Sequence, residues 1–354
     1  MSSKNIIEKI KKAGLFGRSG SSFPTGLKWE IVKKAKGKKK YVVCNGAEGE
    51  PEAFKDKFIL ENYPQEVVAG IKVALEALRA DSAYIYLRKD YYQKFKKVLE
   101  KEIGDSPIII FKKSGGYLAG EETALCEAIE GKRPEPRIRP PFPSEVGLWG
   151  CPTLVNNVET FYAVSKIARG EYRKTRFYSL GGQAEKKGVY ELPEDWTMAK
   201  VLKETGNWPD FPFFVQSGGG ASGEIFLPQE LDQPIKGLAA MIIFNQKETD
   251  PFILMDKWLK FFLTENCDKC LPCREGLYRL NEMIKERRIE ETILDDLHFL
   301  MSETSFCPLG KFAMTPFVSL IRKILPQYQK APPFKAGMNG GLSGAFGTGF
   351  QPKN

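Results

Sequence analysis

The sequence predicts an α/β domain with a largely parallel sheet, then a small α+β domain, then a C-terminal four-helix bundle. Three observations carry this reading. Apolar, strand-like runs alternate with amphipathic helices over residues 1–172. Short strands with one helix among them fill residues 173–247. From Pro251 the chain reads as helix after helix, so residues 248–333 form the bundle.

Each element follows from its pattern. Ile6, Ile7 and Ile10 share one face of a helix over Ser3 to Ala13, and Gly14 suits its stop. Gly14 to Gly26 is a glycine- and serine-rich loop. Tyr41 to Cys44, Ala83 to Leu87 and Ile108 to Phe111 are buried strands. Helices over Pro64 to Leu78 and around Phe95, Val98 and Leu99 alternate with them. Glu121 to Ile129 and Asn157 to Ala168 are two more helices, and the proline-rich Pro134 to Pro152 between them holds none. The strands of the second domain are Arg176 to Leu180, Gly188 to Leu192, Phe213 to Gln216 and Met241 to Phe244, with a helix at Met198 to Glu204. The bundle helices are Phe252 to Phe262, Leu271 to Glu286, Ile289 to Met301 and Lys311 to Ile324. Residues 334–354 read as a glycine-rich, mobile tail.

Composition narrows the function classes. Of 354 residues, 42% are hydrophobic and 27% charged, as in an ordinary globular protein. No run approaches the roughly 18 apolar residues of a membrane span. The start lacks the apolar core of a signal peptide, so a cytoplasmic location is expected, with no direct membrane insertion. The net charge is +9, and much of it sits in the run Lys33 to Lys40. That run is a solvated lysine loop or a nucleic-acid patch; it contains no aromatic residue for base stacking, so no nucleic-acid partner is expected. The single histidine, His298, excludes any site needing two and argues against a histidine-based triad.

The seven cysteines carry more chemistry. An odd count argues against a disulfide framework. Cys267, Cys270 and Cys273 form C-x2-C-x2-C, and Cys307 follows far along the chain. Two-residue gaps let three thiolates converge from one tight turn. Four thiolates suit a [4Fe–4S] cluster or a tetrahedral zinc, and on spacing both stay open, the triple cluster favouring iron–sulfur. Cys44 and Cys126 read as buried structural thiols.

The glycine loop places Arg18 and Lys28 beside residues that allow close backbone approach to a phosphate or planar ring. It is a nucleotide site or a set of turns. Two carboxylate pairs adjoin glycines: Glu48 with Glu50, and Glu121 with Glu122. They cap helices, or they accept hydrogen bonds from ribose hydroxyls or a flavin edge. Arg139 to Pro143 sets a cation and Phe142 on a stiff backbone, which suits an adenine nucleotide.

These segments together resemble a known family. In order they are Gly17-Arg18-Ser19-Gly20 with Phe23 to Trp29, Cys44-Asn45 with Glu48 to Pro51, and Phe54-Lys55-Asp56. Then come Gly120 to Leu125, Glu130 to Arg133, Pro140 to Pro143, Gly147 to Gly150, Asn156 to Thr160, and Cys267 to Gly276. The chain resembles the NADH-binding flavoprotein subunit of respiratory complex I and its relatives in soluble NAD-linked hydrogenases and formate dehydrogenases. The resemblance implies that the α/β domain binds flavin, that the second domain is a β-grasp of the soluble-ligand-binding type, and that the bundle carries a [4Fe–4S] cluster on Cys267, Cys270, Cys273 and Cys307. It implies NADH oxidation by hydride transfer to FMN, with single electrons passed to the cluster and to partner subunits, a thioredoxin-like [2Fe–2S] subunit among them. FMN would lie along Gly17, Arg18, Gly20, Lys28, Asn45, Glu48, Tyr117, Gly120, Glu121, Asn156 and Asn157. The dinucleotide would stack on Phe23 and Phe142, with Glu50 and Glu122 on its ribose hydroxyls and Arg139 in place of a family lysine. No side chain is needed as acid or base for the hydride step; Glu48 is at most a modulator. The sequence departs from the family at Ala47, where an aspartate is usual, at Ser19 and Ser21-Ser22, and at Ala119 in place of cysteine. The rival readings are a relay linked to NADPH or to a protein partner, and a scaffold subunit with a decayed flavin site around a cluster or zinc.

Overall fold

The structure is a computed structural model that describes residues 3–20 and 22–326. Ser21 and the tail expected at 334–354 lie outside the described residues.

The first unit alternates strand and helix. Its helices are α1 (Ser3–Ala13), α2 (Thr25–Lys34), α3 (Lys55–Asn62), α4 (Pro64–Leu78), α5 (Lys89–Ile103), α6 (Glu122–Ile129) and α7 (Val158–Arg169). Its strands are β1 (Tyr41–Gly46), β2 (Ser82–Leu87), β3 (Ile108–Lys112) and β4 (Thr153–Asn157). They form one parallel sheet in the order β3-β2-β1-β4. Successive strands run outward from β1 to β3, and the chain then returns to place β4 on the other side of β1. Winding therefore reverses between β1 and β4. Ligands in open α/β sheets bind beyond the carboxyl ends of the strands at such a reversal. The register pairs Cys44 with Asn156 and Asn45 with Asn157 at that edge.

One core unites the buried faces of α1, α2, α4, α5 and α7 with the sheet. Helices α4 and α7 touch backbone to backbone because position 70 is glycine. A Cβ there would stand 2.0 Å from the Phe161 carbonyl oxygen.

The second unit holds β5 (Thr175–Gly182), β6 (Gly188–Pro193), α8 (Met198–Glu204), β7 (Phe213–Ser217), β8 (Glu224–Phe226) and β9 (Ala240–Asn245). Its sheet order is β6-β5-β9-β7-β8. The first and last strands, β5 and β9, are parallel neighbours, and the other pairs are antiparallel.

The third unit comprises α9 (Pro251–Glu265), α10 (Leu271–Lys285), α11 (Glu291–Thr304), α12 (Pro308–Phe312) and α13 (Thr315–Lys323). The expected single helix over Lys311 to Ile324 is in fact two. Pro316 has no N–H to give and its ring crowds the carbonyl four residues back, so the first helix stops and a second begins. Trp258 of α9 meets Phe317 of α13 edge-on, with ring centroids 5.7 Å apart. Among the described residues no helix is long and apolar enough to cross a membrane.

Four more elements escaped the sequence pattern, the three-residue strand β8 among them. Helix α2 takes in the end of the expected glycine loop and the first two lysines of the basic run. Its burial rests on Trp29 and Val32. Helix α3 is short and charged, and β4 follows a proline-rich stretch and runs directly into α7.

Candidate functional site

The crevice beyond β1 and β4 is built mainly from amides. Asn45, at the end of β1, donates from Nδ2 to the Gly120 carbonyl at 2.8 Å, and its Oδ1 accepts from the Ala47 N–H at 3.1 Å. Asn156 is buried and accepts from the Trp29 indole N–H at 2.9 Å. Asn157 caps α7 by accepting from the Glu159 N–H at 3.0 Å, and it donates to Asp56 at 2.6 Å. The loop Gly14 to Phe23 folds over this edge. Gly17 N–H closes it onto the Phe23 carbonyl at 2.9 Å, and Arg18 N–H donates to Thr160 Oγ1 on α7 at 3.2 Å.

Opposite lies a short turn, Tyr117–Gly120, that feeds α6. Gly120 faces Ala47; a Cβ at 120 would approach the Ala47 Cβ to 3.2 Å. Glu121 serves as N-cap of α6. One of its oxygens accepts from Thr123 N–H and Ala124 N–H, both at 2.9 Å, while Oε1 is buried with no hydrogen-bond partner. Thr25 Oγ1, where the glycine loop enters α2, is likewise buried without a hydrogen-bond partner. Glu121 Oε1, with only the Arg139 guanidinium 3.7 Å away, fits a polar ligand that supplies a hydrogen bond.

Lys28 reaches Glu122 at 2.9 Å and the Val155 carbonyl at 3.1 Å. Arg139 grips the other oxygen of Glu122, also at 2.9 Å. Burial alone pushes the Glu122 carboxyl up, but Lys28 and Arg139 outweigh it and hold the carboxyl below its ordinary range. The Arg139 guanidinium also stands 5.7 Å from the centre of the Phe142 ring. Phe142 and Phe23 are 47% and 40% exposed, two open aromatic faces on the rim.

Several expected ligands already have partners. The Arg18 guanidinium is buried and bonded to Glu194, to Tyr172 at 2.7 Å and, at 3.9 Å, to Glu159. Its main chain, not its charge, faces the loop. Glu48 accepts from the Asp56 and Lys57 N–H groups at 3.0 and 3.2 Å, capping α3, and from the Tyr91 hydroxyl at 2.8 Å. Burial, then the nearby Asp56, raises its carboxyl to about 7. Glu50 is held by Ala221 and Ser222 of the second unit and by the Tyr117 hydroxyl. Two residues of greater structural weight were legible only as motif members. Lys55 and Asp56 are fully buried and joined at 2.5 Å, and Lys55 also reaches Glu159 at 3.2 Å and Asn157 at 2.8 Å.

The four cysteines surround the starts of α10 and α12. Cys270 is the N-cap of α10, Cys273 lies in its first turn, and Cys307 is the N-cap of α12. Cys270, Cys273 and Cys307 are buried, and Cys267 is half-buried. A Cβ at Gly310 would come within 3.2 Å of the Cys273 Cβ, so the two helix starts meet at the thiols. Burial pushes the Cys273 thiol up to about 12 and Cys307 to about 11, although the Leu309 and Gly310 N–H groups favour the Cys307 thiolate. Among the described residues no three His, Cys, Asp or Glu are arranged around a single metal ion. A four-iron cluster gives each thiolate its own iron, so it asks for a wider set than one zinc does. Cys44 and Cys126 are fully buried in the cores of the first unit, as expected of structural thiols.

Residues 10–166 match the family described as the Nuo51 FMN-binding domain, and 254–331 match the NADH-ubiquinone oxidoreductase-F iron-sulfur binding region. The chain is 34% identical to an F-type subunit (F 2) of the NADH-quinone oxidoreductase of Rhizobium meliloti, over 86% of this chain and 83% of that one. It is 32% identical to the NADP-reducing hydrogenase subunit HndC of Solidesulfovibrio fructosivorans, over 93% and 76%. It is 34% identical to the NAD-reducing hydrogenase HoxS subunit alpha of Cupriavidus necator, over 92% and 60%. Its fold superposes on a chain of an air-oxidized NAD+-reducing [NiFe]-hydrogenase with a TM-score of 0.84 and 30% identity, covering 94% of this chain and 64% of that one. The chain thus spans less than two thirds of these two NAD-reducing hydrogenase chains and most of the oxidoreductase chain. On this similarity, with the amide-lined crevice and the four thiols in place, the chain belongs to the family of F-type NADH-quinone oxidoreductase subunits and their hydrogenase relatives, flavoproteins that bind FMN and a [4Fe–4S] cluster.

Proposed function

We infer that this chain is the electron-input subunit of a larger complex: it oxidises NADH at FMN and passes electrons singly to a [4Fe–4S] cluster and onward to partner subunits. The observation that carries the reading is a juxtaposition. The amide-lined crevice at the sheet's reversal point reaches α9, which ends two residues before Cys267, through one short turn, Tyr117–Gly120.

FMN supplies the step from a two-electron hydride to single electrons. The chain holds it. Asn45 and Asn156, with the main chain of Gly17, Arg18, Gly20, Tyr117 and Gly120, offer donors and acceptors along the crevice, and Asn157, its amide engaged by Asp56, Lys55 and the start of α7, holds its edge. Lys28, Glu48 and Glu121 flank it. Phe23 and Phe142 offer open faces to the dinucleotide rings, and Glu122 offers acceptors to ribose hydroxyls between Lys28 and Arg139. Glu50 can join them only through Oε2, which already takes the Tyr117 hydroxyl, since Oε1 holds Ala221 and Ser222. Thiolates of Cys267, Cys270, Cys273 and Cys307 hold the cluster in a dry setting.

The finer architecture follows. Residues 1–172 form the FMN and NADH unit, 173–247 a β-grasp unit of the soluble-ligand-binding type, and 248–333 the cluster unit of packed helices. A sheet whose first and last strands are parallel neighbours, with one helix across it, supports the β-grasp reading. A thioredoxin-like [2Fe–2S] subunit in the cytoplasm is the partner we propose. Arg139 favours a second reading, NADPH as donor, because guanidinium binds phosphate well.

Anaerobic titration of the purified, cofactor-loaded chain tests the main reading. We expect flavin bands over a broad iron–sulfur absorbance, bleached by NADH. A protein that binds iron and FMN yet is not reduced by NADH or NADPH would overturn it.

A further inference from the structure

Three units of the molecule meet at Gly116 and Tyr117. The Tyr117 N–H donates to Glu265 Oε2 at 2.5 Å. Glu265 is the last residue of α9, two places before Cys267. The Tyr117 ring stands edge-on to Phe261 of the same helix, with centroids 5.0 Å apart. Its hydroxyl donates to Glu50 at 2.7 Å, and Glu50 in turn holds the loop at Ala221 and Ser222. Toward the flavin, the same turn ends at Gly120, whose carbonyl takes the Asn45 amide. Toward the cluster, Cys307 lies within electrostatic reach of both Tyr117 and Glu121.

The glycine at 116 serves this contact. Its backbone is extended, at φ −80 and ψ −155, which any residue adopts. What excludes a side chain is Glu265: a Cβ on Gly116 would stand 2.1 Å from Oε2. The carboxylate lies against the main chain of the turn, and a Cβ at 116 would push it aside.

We propose that Glu265 is a positioning residue for electron transfer, fixing the Gly116–Tyr117 turn against the end of α9, two residues before Cys267, and so setting the coupling between flavin and cluster. The proposal rests on the function inferred above. The step it governs is the passage of one electron from reduced flavin to oxidised cluster, with no bond to the protein made or broken. Coupling through protein falls steeply with distance and with each through-space gap. The Glu265–Tyr117 hydrogen bond replaces such a gap with a bonded contact. Hydride arrival at the flavin does not use it.

Two variants separate position from charge. Glu265→Gln keeps an oxygen acceptor and loses the charge. Gly116→Ala keeps the charge and pushes the carboxylate off the turn. The first readout is amide hydrogen exchange at Tyr117 in the full chain loaded with cluster and free of flavin. We expect exchange at least tenfold faster in Glu265→Ala and Gly116→Ala, and near wild type in Glu265→Gln. The second is flash reduction of the flavin in the doubly loaded chain, followed at the iron–sulfur absorbance. We expect electron arrival slowed at least tenfold in the first two variants and restored in Glu265→Gln, with flavin reduction by NADH unchanged in all three and the cluster's midpoint potential unchanged in Gly116→Ala, which keeps the charge. Unchanged electron arrival in Gly116→Ala, or equal slowing in Glu265→Gln and Glu265→Ala, would overturn the proposal. A wild-type chain that NADH does not reduce would instead defeat the function on which it rests.

Discussion

Removing the Glu50 carboxylate should free a loop of the second unit. Glu50 is 7% exposed and accepts four hydrogen bonds. They come from Ala221 N–H at 2.9 Å, Ser222 N–H at 2.7 Å, the Ser222 hydroxyl at 3.0 Å and the Tyr117 hydroxyl at 2.7 Å. The hydroxyls can rotate toward other acceptors; the two amides cannot. Glu50→Ala thus strands two donors at about 1–3 kcal/mol each, or about 4 kcal/mol together. Glu50→Gln keeps one oxygen for the amides and turns its NH2 to the Tyr117 oxygen. It loses only the charge assistance, about 1–2 kcal/mol over the set. Hydrogen exchange at Ala221 and Ser222 reads these costs locally, without assuming that three units unfold together. With a factor of ten for every 1.4 kcal/mol, we expect exchange to quicken by roughly three orders of magnitude in Glu50→Ala and by roughly tenfold in Glu50→Gln. A ribose hydroxyl at Glu50 is left only Oε2, which the Tyr117 hydroxyl already occupies, so NADH affinity should change by less than tenfold in Glu50→Gln. Unaltered exchange in Glu50→Ala would refute the latch, and a large loss of NADH affinity in Glu50→Gln would restore Glu50 as a free ribose acceptor.

Other outcomes follow from the same geometry. Cys270→Ser should lose the cluster and loosen the packing of α10 on α12, because cluster binding energy is also folding energy; iron at the wild-type level would refute the ligand assignment. Glu48 holds its proton up to about pH 7, well above the 4.5 of an ordinary glutamate, so in that window the folded state binds a proton that the unfolded chain has released. Stability from this group is therefore lost as pH rises through the window, and we expect the fall in Tm between about pH 5 and pH 8 to be smaller in Glu48→Gln; an equal fall would show that Glu48 is ionised in the fold. Lys28 and Arg139 are both already paired with Glu122 at 2.9 Å, so a 2′-phosphate finds no free cation there, and we expect NADH to reduce the flavin faster than NADPH at equal low concentration. Stopped-flow mixing checks this, and the opposite order would mean that Arg139 leaves Glu122.

What could be read from the chain was what short-range pattern encodes. Ile6, Ile7 and Ile10 lie on one helical face and are all buried. Tyr41 to Cys44 is apolar without a break and forms a strand covered on both sides. The helix expected from Asn157 was right, with Asn157 as its cap, but the strand before it was missed because amides are poor strand formers. Here Asn156 and Asn157 end a strand, since Trp29, from far back in the chain, satisfies one and the start of α7 satisfies the other. Lys55 and Asp56 look like surface charge; their burial depends on Asn157 and Glu159, about a hundred positions away. The tie between Glu50 and Ser222 spans 172 positions, and no local pattern announces it. The motifs picked out residues that the fold brings to one crevice. They did not say which polar groups the protein already uses for itself.

That division has an electrostatic logic. Behind the crevice lie three buried cations, Arg18, Lys55 and Arg176, and four carboxylates, Glu48, Asp56, Glu159 and Glu194. Lys55 stands between Asp56 and Glu159, and Arg18 between Glu159 and Glu194, while Arg176 spends its N–H groups on the Ile235 and Gly237 carbonyls. Four carboxylates against three cations leave one too many, and Glu48 is the one with no cation in contact. Its proton settles the excess without calling for another ion. Buried pairs of this kind add little net stability, because desolvation consumes most of the attraction. What they do is penalise misplacement: sliding the second unit across the first would part the buried Arg18 from Glu194 and leave it only the more distant Glu159. A single arrangement is what this protein needs. The flavin site belongs to the first unit and the cluster to the third, and an electron passing between them requires that no unit drift.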